Sequence, residues 1–77
     1  MNEKNEMKSH CKTYRERATL TRRQVVIELD KLGHKISEGT LYNMEQNPPK
    51  HVPSYGTIVV LSRLYGCNCE DLFTPAG

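Results

Sequence analysis

Cys11, Cys67 and Cys69, together with His10, His34 and His51, are the side chains that could ligate a metal or act as nucleophiles. Their spacing argues against both. Cys67-Asn68-Cys69 is C-x-C, not the C-x₂₋₄-C of structural zinc sites, and no second pair follows. The histidines are scattered. Cys11 and Cys67 fall on apolar helical faces without an adjacent base, where a cysteine reads as a small core residue. Three cysteines are an odd number, which argues against a disulfide framework. There is no Gly-rich phosphate loop, and no carboxylate pair that would not equally suit a helix cap or an exposed face. The expectation is no catalytic residue, no metal and no cofactor.

The other chemistry within reach is charge. The net formal charge is only +2, but it is unevenly spread. From Lys8 to Arg23 the chain carries Lys8, Lys12, Arg15, Arg17, Arg22 and Arg23 against Glu16 alone. Such a one-sided segment suits a polyanion binder, and equally a solvated helix face. With 77 residues, 36% hydrophobic, 6% aromatic and no Trp, the chain holds one small domain. That composition suits a helical bundle and excludes a multidomain enzyme or a deep substrate cavity. Its longest aliphatic run, Ile58-Val59-Val60-Leu61, is far short of the ~20 residues a bilayer requires. No apolar leader follows Met1, so no signal peptide is expected and the location is read as cytoplasmic.

The elements that would position these groups follow from periodicity. Residues 1–6 lack an apolar anchor after Met1 and read as a disordered arm. Met7, Cys11, Tyr14 and Ala18 then recur at the period of one helix face. Thr21-Arg22-Arg23-Gln24 has the capping-box form, and a second helix places Val25, Val26, Leu29 and Leu32 on one face before stopping at Gly33. Ile27 lies off that stripe. Ser37 caps a third helix, with Leu41 and Met44 inward and Glu38, Gly39, Tyr42, Asn43 and Gln46 outward. Asn47-Pro48-Pro49 ends it. Ser54 caps a fourth helix carrying Ile58, Leu61, Leu64 and Tyr65 up to Gly66, and Asn68 caps a last short helix through Phe73. No strand is expected, so the fold class read here is all-α.

In order and spacing these segments resemble the Cro/C1-type helix-turn-helix family of phage repressors and bacterial regulators. The resemblance runs from about Cys11 to Phe73. It rests on Leu20-Thr21-x-x-Gln24-Val25-Val26, Ile36-Ser37-x-x-Thr40-Leu41-x-x-Met44-Glu45, Asn47-Pro48, Pro53-Ser54-x-x-Thr57-Ile58 and Leu64-Tyr65-Gly66-Cys67-Asn68-x-Glu70-Asp71-Leu72-Phe73. It implies a compact five-helix, lambda-repressor-like DNA-binding domain over residues 7–74, with a tail at 75–77. It also implies a small sequence-specific transcriptional regulator of phage or prophage origin, bound to operator DNA through the major groove. The third helix would be the recognition helix. Glu38, Gly39, Thr40, Tyr42, Asn43 and Gln46 would then meet DNA or a partner, while Arg22, Arg23 and Lys50 grip phosphates.

Three departures from the family pattern shape that expectation. Asp30-Lys31-Leu32-Gly33-His34-Lys35 lengthens the second helix by about one turn, with Leu32 extending its stripe. Arg22 stands where a Gln usually opens that helix, which suits a phosphate contact but loses amide readout. Third, the recognition segment from Ile36 to Gln46 has no Lys or Arg and, with Glu38 and Glu45, a formal −2. Asn43 could pair with adenine, Thr40 could touch a thymine methyl or serve as a capping partner, and Tyr42 could reach a phosphate or fill a half-exposed site. Two readings therefore stand side by side. One is an operator-binding regulator. The other is an antirepressor whose acidic helix docks on the DNA-binding face of a partner repressor. Homodimer formation is open in either case.

Overall fold

The computed structural model describes residues 7–75. The expected arm at 1–6 and the last two residues of the expected tail lie outside the described residues. The chain runs β1 (Met7–Ser9), α1 (Cys11–Arg17), α2 (Arg22–Lys31), α3 (Glu38–Met44), α4 (Tyr55–Tyr65), α5 (Cys69–Leu72) and β2 (Phe73–Pro75). Helices α2, α3 and α4 begin where capping chemistry puts them. Gln24 N–H donates to Thr21 Oγ1 at 3.1 Å while Thr21 N–H donates to Gln24 Oε1 at 2.8 Å, closing the capping box of α2. Ser37 Oγ accepts from Thr40 N–H at 3.0 Å to open α3, and Ser54 Oγ accepts from Thr57 N–H at 3.5 Å to open α4.

The all-α expectation is overturned by the two ends of the described chain. β1 and β2 pair antiparallel, Met7 with Pro75, Lys8 with Thr74 and Ser9 with Phe73, so the fold is helix-rich but mixed. The first helix therefore begins at Cys11, not Met7, and Phe73 belongs to a strand instead of the last helix. The outer edge of β1 is paired, and that of β2 ends in a proline. On β1, Ser9 N–H donates to Asn47 Oδ1 at 2.7 Å and Asn47 Nδ2 returns a bond to Ser9 O at 3.2 Å. On β2, Pro75 has no N–H to offer, a common way of blunting an edge. The ribbon thus ties residues 7–9 to residues 73–75 and, through Asn47, to the loop that follows α3.

Cys11, Val25, Leu29, Leu41, Met44, Leu61, Tyr65, Leu72 and Phe73 form the core, drawn from all five helices and β2. The second-helix stripe is narrower than expected. Leu32 is 55% exposed because α2 has already ended at Lys31 and the chain turns away at Gly33, where φ is +83°. There His34 N–H reaches back to Leu29 O at 2.8 Å, the bond of a Schellman stop. Leu20 N–H to Arg15 O at 3.2 Å and Cys67 N–H to Ser62 O at 3.0 Å repeat the device after α1 and α4. No helix among the described residues is long and apolar enough to cross a membrane.

Candidate nucleic-acid interface

Helices α2 and α3 are joined by residues 32–37, and α3 is held from the inside. Leu41 and Met44 are fully buried one turn apart on its inner side. Glu45, its C-cap, continues inward, with only 1% of its side chain exposed. Its carboxylate accepts from Arg15 Nε at 2.6 Å, from Arg15 Nη2 at 3.3 Å and from Arg22 Nε at 2.9 Å. Arg15 Nη1 donates to Leu20 O at 2.8 Å, so one buried guanidinium ties α1, the α1–α2 turn and the end of α3 together. The hydrogen bonds to Glu45 raise the Arg15 pKa further above its usual value, which fixes it as a cation.

This geometry corrects the charge map. Glu45 does not contribute to the outward face of α3, because its charge is consumed internally by two arginines. Glu38 is the carboxylate left exposed within α3. Arg15 is likewise buried and not part of a basic surface, whereas Lys8, Lys12, Arg17 and Arg23 are exposed. A buried pair of this kind was beyond the reach of periodicity, since Arg15 and Glu45 are 30 residues apart. The spacing of Leu41, Met44 and Glu45 nevertheless puts all three on the inner side of one helix.

The outward residues are arranged as follows. Glu38, Gly39 and Tyr42 are exposed, Tyr42 by 49%, and Thr40, Asn43 and Gln46 are half-buried. Thr40 Oγ1 accepts from Ser37 Oγ at 3.0 Å, so its hydroxyl is part of the α3 cap. Gln46 Nε2 donates to Tyr42 O at 3.3 Å. Among the described residues the side-chain amide of Asn43 makes no hydrogen bond, so its donor and acceptor stay available to a partner. A methyl group at Gly39 would meet only Ser37 Oγ, at an ordinary 3.8 Å, so packing within the chain does not require glycine there.

The expected phosphate-gripping residues differ in status. Arg23 is exposed on the first turn of α2. Lys50 is exposed, and its backbone N–H donates to Asn43 O at 2.9 Å, which sets it beside the end of α3. Arg22 is different. Its side chain is 32% exposed, its Nε is engaged by Glu45, and its guanidinium carbon lies 5.0 Å from the centroid of the Tyr42 ring.

The candidate nucleophiles are placed elsewhere. Cys11 is fully buried, and burial pushes its thiol from the usual 9.0 up to about 11. Cys67 is half-buried beside the core, and burial raises its pKa as well. His10 Nε2 lies 2.8 Å from Thr74 Oγ1 and His34 Nδ1 lies 3.2 Å from Thr57 Oγ1, both in structural contacts. Among the described residues no group of three or more His, Cys, Asp and Glu side chains could hold a metal ion. Ile27 is exposed and borders an open hollow of about 470 Å³ with Leu20, Gln24 and Leu64. Comparison of the chain with protein-family models, curated proteins and solved structures gives no match.

Proposed function

We propose that this protein is a small, sequence-specific duplex-DNA-binding regulator of transcription of the Cro/C1 helix-turn-helix type, with α3 entering the major groove. One observation carries the reading: α3 is rooted from within by Leu41, Met44 and Glu45, and turns outward a face whose Asn43 amide has no partner among the described residues. A recognition helix must be held rigidly by the core while it keeps free hydrogen-bonding groups for base edges. Asn43 is the residue for bidentate pairing with adenine. Arg23 and Lys50 supply charge to flanking phosphates, and Glu38 accepts from cytosine N4. The role is binding, with no cofactor.

The antirepressor reading calls for an acidic recognition segment, with Glu38 and Glu45 as its two carboxylates. Glu45 is bound internally, so Glu38 alone supports a partner repressor's basic surface on this face. One substitution separates the readings. Glu38→Lys strengthens binding to random duplex by removing a repulsion from phosphate, and disrupts a complex made with a basic protein face. The direct test is selection from a randomised duplex pool followed by nuclease footprinting. A single enriched sequence with a protected site is expected. Absence of protection at low salt overturns the proposal.

A further inference from the structure

We infer that Arg22 is a positioning residue of this interface as well as a phosphate contact: it holds the Tyr42 ring in place on the outward face of α3 while presenting its free edge to a DNA backbone phosphate. The inference rests on the DNA-binding reading above. It starts from one guanidinium used in two directions. Arg22 Nε donates to Glu45 Oε1 at 2.9 Å, and the guanidinium carbon sits 5.0 Å from the Tyr42 ring centroid. Tyr42 and Glu45 are three residues apart, hence neighbours on one side of the α3 end, and Arg22 reaches both from the first turn of α2.

An exposed tyrosine samples several rotamers. A cation laid against its ring, and itself pinned by a buried carboxylate, restricts that freedom. Tyr42 is followed directly by Asn43, so the orientation of the ring shapes the space in which the Asn43 amide works.

Charge accounting adds a second, independent observation. Arg15, Arg22 and Glu45 form a cluster of two cations and one anion with a formal excess of one positive charge. Arg15 is buried, with 9% of its side chain exposed, whereas Arg22 is 32% exposed, so the excess is delivered at Arg22. Among the described residues neither Nη group of Arg22 makes a hydrogen bond. An outward guanidinium edge with unused donors and an unneutralised charge fits a singly charged phosphodiester oxygen. Lysine cannot replace it, because a point charge on a flexible stem does not bond Glu45, cover a ring and meet a phosphate together.

An ordinary phosphate contact affects all sequences alike. Arg22 therefore differs from Arg23 in what its loss does. In wild type and in Arg22→Lys, Tyr42→Leu and the double variant, affinity is measured for the duplex enriched by selection and for a random duplex of the same length. Thermal melts confirm that each variant folds. Arg22→Lys should weaken binding to both duplexes but lower the ratio of specific to random affinity roughly tenfold, and Tyr42→Leu should lower that ratio by a similar factor. The double variant should fall no further. A ratio preserved in Arg22→Lys, or losses that simply multiply in the double variant, overturns the positioning role.

Nuclear magnetic resonance of the free protein tests the contact without DNA. A resolved Arg22 Nε–H signal with cross-peaks to the Tyr42 ring is expected, and their absence overturns the contact while leaving the DNA reading intact. If the wild-type protein enriches no sequence, the DNA reading falls, and the role assigned to Arg22 with it, even where the cross-peaks are present.

Discussion

Arg15 Nε and Glu45 Oε2 meet at 2.6 Å in the interior, with Arg22 Nε on the other carboxylate oxygen at 2.9 Å. One side chain at the end of α3 thereby fixes α1 and α2 against the helix that carries the outward face. An interior ion pair of this kind offsets much of its own desolvation, but removing one partner leaves an uncompensated charge.

Glu45→Gln should therefore destabilise the protein by ~3 kcal/mol or more, since it strands the buried Arg15 guanidinium. Arg22→Met, at a partly exposed position, should cost ~1 kcal/mol or less. Urea denaturation followed by circular dichroism compares the two. Equal and small losses would show that the carboxylate does not anchor α3.

What could be read from the sequence was what local chemistry decides. The hydroxyls of Thr21, Ser37 and Ser54 mark three helix starts, and Gly33 and Gly66 adopt positive φ at two stops, all within a few residues of the structure they control. The inward positions Leu41 and Met44 and the off-stripe Ile27 follow from periodicity alone. The β1–β2 ribbon was hidden because its strands are three residues each, too short to alternate visibly. The pairing also joins positions as distant as Met7 and Pro75, at opposite ends of the described residues. The spacing of Met7 from Cys11 matches a helix face even though Met7 lies in a strand. The spacing of Glu45 from Leu41 and Met44 points it inward, but its partner Arg15 lies 30 residues away and no local pattern names it.

Thr19 ends α1 with φ at +60°, a left-handed conformation that is costly for a β-branched residue. Its hydroxyl compensates in part by donating to Ala18 O at 2.6 Å. Thr19→Gly should raise stability by ~0.5–1 kcal/mol, the relief of strain exceeding the added freedom of the unfolded chain. A thermal melt reads the sign, and a lower midpoint would mean that the hydroxyl bond outweighs the backbone cost.

Tyr65 is buried in the core, and its hydroxyl finds no hydrogen-bond partner among the described residues. Removing that oxygen removes a desolvated polar group without opening much space. Tyr65→Phe should leave stability unchanged or raise it by ~1 kcal/mol. A loss of more than ~1 kcal/mol in urea denaturation would show that the hydroxyl is satisfied.

Burial raises the Cys11 thiol from 9.0 to about 11, so the folded state keeps its proton over a range in which the unfolded chain loses it. The stabilisation is complete below pH 9, declines as pH rises toward 11, and is absent above that. The slope approaches ~1.4 kcal/mol per pH unit in that window. Cys11→Ala should be less stable than wild type at neutral pH because it leaves a small void, but should lose less stability between pH 9 and 11. Parallel pH dependence in the two proteins would place the thiol in contact with solvent.

The most direct measurement of DNA reading by α3 is duplex selection carried out in parallel on the wild-type protein and Asn43→Ala. The wild type should enrich one sequence. The variant should enrich the same sequence with preference relaxed at a single base pair, at a cost of ~1–3 kcal/mol for the original site. Identical preferences in the two proteins, or no enriched sequence in either, would contradict the assignment of α3 as the helix that reads DNA.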